Sequence, residues 1–386
     1  MPPRIATFLT WLLVCSAFLV LDIHAYTPLT DESLKSLPSA GSDFDIHSGS
    51  LLAPLLIPRV PGTPGSLAAQ QHFIDFFSTH LPEWTIEYQN STGKTPVTGD
   101  QEVPFANLIM TRDPPWTRPG DVGRLTLAAH YDSKISPEGF IGATDSAAPC
   151  AMILHAARSV NEALTRKWEA MAAQGLDDGL QEETGLQILF LDGEEAFAVW
   201  TSTDSIYGAR SLAEEWEHTA HPALSTYRTA LSSITLFMLL DLLGSTDPSP
   251  HVPSYFKTTH WAYQYLANIE SRLRSLSQLL TDPPQPFLPD KDKSLHSFFN
   301  SMIEDDHIPF MARGVEILHI IQSPFPNVWH TMNDDGEHLD LDSVEDWARI
   351  VTAFVAEWMD LEGHLIPTTQ ASVREGGERP FRKTEL

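Results

Sequence analysis

The chain has 386 residues, of which 42% are hydrophobic and 10% aromatic, so it can bury a large core and is not disordered as a whole. Its length suits one large α/β domain, or two small ones. The formal net charge is -27, and because so acidic a chain repels other polyanions, we expect neither nucleic acid nor an anionic membrane surface as a partner.

The N-terminal segment combines a positive charge with an apolar run. Arg4 precedes an apolar stretch at 5–21, and a small residue, Ala25, ends the segment. This pattern is typical of a secretory signal peptide, here residues 1–25, and predicts a secreted protein. Because the run is almost long enough to span a bilayer, the alternative is an uncleaved anchor in the Golgi membrane.

If the chain is secreted, its two cysteines and its one sequon have further consequences. Of the two cysteines, Cys15 lies in the predicted signal, so Cys150 is the one thiol of the mature chain and no intramolecular disulfide can form. The apolar segment around Cys150 favours a buried structural thiol over a nucleophile. Asn90 begins an Asn-Ser-Thr sequon in a polar stretch and is a predicted glycosylation site.

The rest of the chain divides by composition. Residues 26–65 are polar and rich in proline and glycine, which indicates an N-terminal extension, and residues 366–386 have the composition of a disordered tail. Between them, 66–80 and 150–173 show helical periodicity. Six β-like runs lie at 84–88, 105–110, 125–129, 186–191, 234–240 and 316–321. We assign no role to 163–185.

This alternation predicts the fold class. Buried strands alternating with helices indicate an α/β domain at 66–365, with a mostly parallel central sheet and helices on both faces. Nearly every chemically interesting residue follows the end of a β-like run. In such sheets ligands bind at the carboxyl ends of the strands, so we expect these residues to converge.

The first of them follow the runs at 125–129 and 186–191. His130 can bind a metal with Asp132 behind it as an orienting carboxylate, although a surface turn explains the same pattern. Glu194 and Glu195 are adjacent acids at a buried strand end, where they repel each other unless a cation or a shared proton relieves the charge. One glutamate on a metal and the other moving protons resolves the conflict, and a solvated acidic turn is the alternative.

Three more carboxylates and one imidazole stand out. Asp145 is surrounded by small residues just before a helix, so it is either a metal ligand or a helix cap. Asp241 is a lone charge in an apolar run, which favours function over a hydrogen bond to the backbone. Asp305 precedes a second acid and a histidine, and His330 lies in a proline-stiffened loop with two aromatic residues. Such a loop suits both a metal ligand and the wall of an apolar pocket.

Six segments together resemble the animal and fungal glutaminyl-peptide cyclotransferases, in order from about residue 66 to 362. They are His-Tyr-Asp-Ser at 130–133, Gly-Ala-Thr-Asp-Ser at 142–146, Asp-Gly-Glu-Glu-Ala-Phe at 192–197, Asp-Leu-Leu-Gly at 241–244, Asp-Asp-His-Ile-Pro-Phe at 305–310 and Ser-Pro-Phe-Pro-Asn-Val-Trp-His-Thr-Met at 323–332. The last two are long and specific. The first four are shared with the related two-zinc aminopeptidases, so they identify the superfamily but not the reaction.

The resemblance implies a zinc-aminopeptidase-like single domain with one zinc ion per chain, held by Asp145, Glu195 and His330 with a fourth position open. It implies Glu194 as the general acid and base. Asp241 and Asp305 would lie in its hydrogen-bond network, and the walls of the substrate pocket would be Trp200, Ile303, Phe325 and Trp329.

The implied reaction cyclises the N-terminal glutamine of peptides or proteins to pyroglutamate and releases ammonia. We expect the enzyme to be a monomer. The animal enzymes have a second cysteine that would pair with Cys150. This chain departs from them because it has Ala129 at that position. The runner-up is a two-zinc aminopeptidase, in which His130, Asp145, Glu195, Asp241 and His330 supply the ligands. A non-catalytic binding module is the third reading, and the presence of every ligand and of Glu194 speaks against it.

Overall fold

The computed structural model of the chain describes residues 27–179, 183–247, 250–298 and 302–365. The predicted signal peptide or anchor at 1–25 and the predicted tail at 366–386 lie outside the described residues. Within the described ranges, no helix is both long and apolar enough to cross a membrane.

One sheet organises the described part of the chain. Its strands are β1 (Thr85–Lys94), β2 (Glu102–Arg112), β3 (Val122–His130), β4 (Glu183–Leu191), β5 (Ile234–Asp241) and β6 (Ile317–Ile321), and they lie in the order β1-β2-β4-β3-β5-β6. Strands β4, β3, β5 and β6 are parallel to one another, so their carboxyl ends meet at one edge. The predicted mostly parallel sheet is confirmed, with β2 running against both of its neighbours.

Helices cover both faces of this sheet, as predicted. They are α1 (Asp31–Ser36), α2 (Pro64–His80), α3 (Ala148–Ala173), α4 (Tyr207–His218), α5 (His260–Ser275), α6 (Ile308–Met311) and α7 (Leu341–Trp358). Strand alternation divides the core: Ile188 and Phe190 of β4 belong to the cluster with α2, α3, α5 and α7. Leu189 and Leu191 face α4 and α6 on the other side.

The predicted boundaries differ most at the hairpin of β1 and β2. The run at 84–88 becomes a strand that continues to Lys94, because the polar residues after Tyr88 pair in register with β2, ending with Lys94 opposite Glu102. An exposed edge strand needs no apolar alternation, so hydrophobicity does not reveal its length. The helix predicted at 66–80 begins two residues earlier, at Pro64, a residue that favours the first turn.

The segment 27–65, assigned from composition to an extension outside the domain, packs into the same core as the helices. Leu34, Phe44, Leu51 and Leu55 are fully or almost fully buried in the cluster that contains α3 and α7. Residue 65 therefore marks no break in the packing. The proline and glycine content of this segment predicts an extension, but short turns place its leucines in the core.

Cys150 is buried on α3 and free, with its thiol donating to the backbone oxygen of His130 at 3.3 Å. Burial raises the pKa of this thiol to about 12, which agrees with a structural role rather than a nucleophile. Ala129, at the position of the missing partner cysteine, is also buried. The domain is thus held by its core without the cross-link.

Candidate active site

The predicted site residues converge at the carboxyl edge of the parallel strands. His130 ends β3, the two glutamates follow β4, and Asp241 ends β5. His330 reaches the same edge from the loop after β6. Parallel pairing brings these chain segments together, as expected for an open α/β sheet.

Asp145 lies in the turn Ala143–Ala147 between β3 and α3, where its own backbone angles are non-helical, with a φ of -121° and a ψ of 74°. Helix α3 begins at Ala148 and no side chain caps it, so Asp145 is not a helix cap. Its carboxylate instead approaches the Nε2 atoms of His130 at 3.0 Å and His330 at 3.3 Å. Gly142 permits this turn, because it has a φ of 65° and a Cβ there would meet the backbone oxygen of Asp145 at 2.1 Å.

Asp145, Glu195 and His330 form a group suited to a metal ion. One ligand atom from each lies within 4.8 Å of the others. The Oδ2 of Asp145 and the Oε1 of Glu195 are buried and make no hydrogen bond to the described residues. Both oxygens face the Nε2 of His330, at 3.3 Å and 3.5 Å. Because buried carboxylate oxygens without a hydrogen bond are costly, a cation would satisfy both. Two oxygens and one imidazole nitrogen are donors that zinc accepts.

The charges in this group also favour a cation. Burial lowers the pKa of His330, but Asp145 and Glu195 outweigh it and raise that pKa to about 9. Burial raises the pKa of Glu195, as does the charge of Asp145. Lys134 donates to the other oxygen of Glu195, Oε2, at 3.0 Å, and so leaves Oε1 free for a ligand.

Asp132 contacts His130 only loosely and holds the glutamate loop instead. Its Oδ1 lies 3.4 Å from the Nδ1 of His130. The firmer contacts are to the backbone, since Asp132 accepts the N–H of Glu194 at 3.0 Å and of Glu195 at 3.2 Å. The predicted orienting carboxylate thus acts mainly on the loop that carries both glutamates.

Glu194 lines the cavity beside Glu195 and is almost fully buried. Burial raises its pKa well above the usual range; His130 opposes this rise, while the charges of Glu195, Asp305 and Asp306 add to it. A glutamate with a raised pKa can hold and release a proton near neutral pH, which is what general acid and base catalysis requires.

Asp241 and Asp305 lie near Glu194, but the hydrogen bonds that each of them accepts come from other residues. Asp241 accepts from the hydroxyl of Ser146 and from its neighbour's N–H. Burial raises the pKa of Asp241 to about 6. Asp305 accepts from the Nε2 of His319 at 2.7 Å, and although burial opposes it, this imidazole lowers the pKa of Asp305.

The four predicted pocket residues, Trp200, Ile303, Phe325 and Trp329, all line one cavity of about 460 Å3 with Asp145, Glu194, Glu195 and His330. The indole N–H of Trp200 donates to Glu304 at 2.9 Å. Trp329 stacks on His330, with ring centroids 3.8 Å apart, and contacts Phe325 edge to face. The aromatic wall and the candidate ligand are therefore one packed unit.

Sequence reasoning missed several residues that shape this site. Arg59, from the segment 27–65, is fully buried, and its guanidinium donates to five backbone oxygens, those of Leu55, Ile57, Tyr131, Ile141 and Gly142. Lys134, His319 and Asp334 also went unnoticed. Lys134 directly follows the quoted His-Tyr-Asp-Ser segment, and His319 is a polar residue inside a buried strand, which was a usable signal.

Two further groups of possible ligands occur among the described residues. His130, Asp145 and Asp241 form one, and Asp305, His307 and His319 form the other. In the first, the facing oxygens of Asp145 and Asp241 already accept hydrogen bonds. In the second, Asp305 is bonded directly to His319. The Asp145–Glu195–His330 group is the one of the three in which two facing carboxylate oxygens make no hydrogen bond to the described residues.

Comparison with known proteins finds relatives that match most of the chain. Residues 107–355 match the model of peptidase family M28. The chain is 39% identical over 350 residues to the glutaminyl-peptide cyclotransferase of Bos taurus, covering 88% of this chain and 89% of the bovine one.

Solved structures give the same picture. The glutaminyl cyclase of Macrostomum lignano is 30% identical with a TM-score of 0.68, and the match covers 89% of this chain and 96% of that one. A Zn-dependent exopeptidase from Parabacteroides distasonis is 19% identical with a TM-score of 0.54, over 82% of this chain and 98% of that one. The second likeness shows the shared fold.

Proposed function

The chain belongs to the glutaminyl-peptide cyclotransferases of peptidase family M28, and we propose that it works with one zinc ion held by Asp145, Glu195 and His330. The enzyme converts the N-terminal glutamine of peptides to pyroglutamate and releases ammonia. The observation that carries the metal proposal is a pair of buried carboxylate oxygens, on Asp145 and Glu195, that make no hydrogen bond to the described residues and face the imidazole of His330. When bound, zinc supplies a Lewis acid for the γ-carbonyl of the substrate.

Glu194 moves the proton. In the reaction the α-amine nitrogen bonds to the side-chain carbonyl carbon, and the bond from that carbon to the amide nitrogen breaks. Glu194 accepts a proton from the amine and returns it to the departing nitrogen, which leaves as ammonia. Its raised pKa, caused first by burial and then by neighbouring acids, suits both halves of this transfer.

Asp305 tunes this proton transfer through its charge, and Asp241 lines the same cavity as Glu194. Asp305 adds to the raised pKa of Glu194 and also to that of Asp241. His319 keeps Asp305 ionised by donating to it. The proposal is that this charge keeps the affinity of Glu194 for its proton high enough for it to act as an acid in the second half of the reaction.

The aromatic wall holds the substrate and excludes water. Trp200, Phe325 and Trp329 surround a cavity that fits a folded glutaminyl group. Because the amine and the carbonyl belong to one residue, binding the folded conformer makes ring closure a proximity effect. Excluding water prevents hydrolysis of the side-chain amide to glutamate.

One experiment tests the activity and the metal together. The purified protein is incubated with a short peptide that begins with glutamine, with and without a zinc chelator, and its metal content is measured. We expect a mass loss equal to one ammonia, abolished by the chelator and restored by zinc, and one zinc per chain. Two tightly bound zinc ions with release of leucine from a leucine-initiated peptide would support the aminopeptidase instead.

The aminopeptidase alternative rests on the neighbouring group of possible ligands formed by His130, Asp145 and Asp241. In aminopeptidase chemistry, a second zinc there would complete a two-metal site. We favour one zinc because the Oδ1 of Asp241 already accepts a hydrogen bond from Ser146, a residue outside this group.

We propose further that the protein is secreted and glycosylated at Asn90. The proposal rests on the composition of residues 1–25 and on the exposure of Asn90 in the edge strand β1. N-terminal sequencing of protein from a secreting host checks the first part, because a chain that retains residues 1–25 points to the anchor instead.

A further inference from the structure

The proposed zinc ligands come from loops that are far apart in sequence. Asp145 lies before α3, and His330 lies in the loop after β6. A metal site with high affinity needs its ligands held at a fixed separation before the ion arrives. Some contact between these two loops must therefore set the distance from Asp145 to His330.

Asp334 makes that contact with three hydrogen bonds. Its Oδ1 accepts the backbone N–H of Thr144 at 2.7 Å and the hydroxyl of Thr144 at 3.0 Å. Its backbone oxygen accepts the N–H of Ala143 at 3.1 Å. Both partners precede Asp145 directly, so Asp334 grips the turn that presents this carboxylate.

The same residue is tied to the turn that presents His330. The N–H of Asp334 donates to the backbone oxygen of Thr331 at 3.0 Å. Its side chain is 1% exposed, so its bonds to Thr144 are protected from water. Asp334 therefore joins the two ligand-bearing turns through a short, buried chain of hydrogen bonds.

We infer that Asp334 is a positioning residue that presets the spacing of Asp145 and His330 and thereby strengthens zinc binding. The inference rests on the proposed zinc site. Asp334 does not line the cavity. It therefore acts on metal affinity through the two turns that carry the ligands. Groups that orient ligands typically contribute about 10-fold to 100-fold in metal affinity or activity.

The neighbouring acid, Asp335, offers a matched control. It caps the short helix Gly336–His338 by accepting from the N–H and the ring of His338. Among the described residues, Asp335 makes no hydrogen bond to the turn at 143–145. Asp335→Ala removes the same charge one residue away and leaves the two ligand turns joined.

The experiment compares zinc dissociation constants, measured by competition with a chelator, for the wild type, Asp334→Ala, Asp334→Asn and Asp335→Ala. We expect Asp334→Ala to weaken zinc binding about 10-fold or more. Asp334→Asn keeps an Oδ1 acceptor and should bind zinc nearly as the wild type does, as should Asp335→Ala. At saturating zinc, Asp334→Ala should recover most of its kcat.

Three outcomes overturn the inference: a folded Asp334→Ala with wild-type zinc affinity, an Asp334→Asn as weak as Asp334→Ala, or an equal loss in Asp335→Ala. If Asp334→Ala does not fold, Thr144→Val removes only the hydroxyl bond and should weaken zinc binding by a smaller factor; unchanged affinity in that variant also overturns it. A wild type that binds no zinc contradicts the proposed function itself, so the two failures are distinguishable.

Discussion

Two adjacent glutamates have different surroundings, and this separates their roles. Glu195 faces Asp145 and His330 with an oxygen that makes no hydrogen bond to the described residues, while its other oxygen accepts from Lys134. Glu194 belongs to no group of possible metal ligands among the described residues and has a pKa raised by burial and by acids. One side chain is placed to bind a cation and the next to carry a proton.

Substituting each glutamate in turn tests this division. We expect Glu194→Gln to lose nearly all turnover, on the order of 100-fold or more, because its amide cannot accept the proton. It should keep wild-type zinc content. Glu195→Gln should lose both zinc and activity, because a ligand oxygen is replaced.

Metal analysis and kinetics on the same preparations check both variants. Turnover that survives in Glu194→Gln would remove the role assigned to that residue. Zinc retained at full occupancy in Glu195→Gln would move the metal site elsewhere.

The segment before α2 has a structural role at the scale of elements. Arg59 joins this segment to the end of β3, through Tyr131, and to the turn before Asp145, through Ile141 and Gly142. It is fully buried, and burial lowers the pKa of its guanidinium while the surrounding acids raise it. Residues 27–65 thus help to build the active-site edge as well as the core.

Arg59→Met should destabilise the fold by about 3 kcal/mol or more, because it leaves the buried backbone oxygens of Leu55, Tyr131 and Gly142 without their donor. Arg158→Met is the control, since Arg158 forms a partly exposed pair with Asp43 and should cost about 1 kcal/mol or less. Free energies of unfolding in guanidinium chloride compare the two. Equal, small losses would show that Arg59 is dispensable.

At the scale of the whole molecule, the fold carries no disulfide among its described residues and depends on its core for stability. A buried histidine in such a core makes the fold sensitive to acid, because the folded protein resists protonating it. Burial on α3, with a smaller effect from Arg158, lowers the pKa of His155 to about 4. Between pH 6.5 and 4 the unfolded chain takes up a proton at this residue that the folded protein refuses, so stability falls as pH falls through this range.

His155→Gln should therefore lose less stability than the wild type between pH 6.5 and 4, by up to roughly 3 kcal/mol. His47→Gln is the control, because its side chain is 77% exposed. Unfolding free energies at fixed zinc concentration across this range provide the measurement. If the free energy of unfolding depended on pH in the same way for the wild type and His155→Gln, the lowered pKa of His155 would be contradicted.

The sequence by itself determined the strands, the class of fold and most of the chemistry. Buried strands such as β3, β4 and β5 carry an apolar pattern of their own, because a strand covered on both faces needs apolar residues throughout. Their carboxyl ends carried His130, the two glutamates and Asp241, so the pattern also located the site. The six motif segments then identified the family.

Only the tertiary structure decided which groups meet. Whether Asp145 caps a helix or faces an imidazole depends on contacts with β3 and with the loop after β6, which no local pattern records. Arg59 and Asp334 act on the turn before Asp145 from distant parts of the chain, and the packing of 27–65 depends on helices that come later. Long-range hydrogen bonds between loops follow from the folded arrangement, whereas the hydrophobic pattern of a buried strand follows from its own residues.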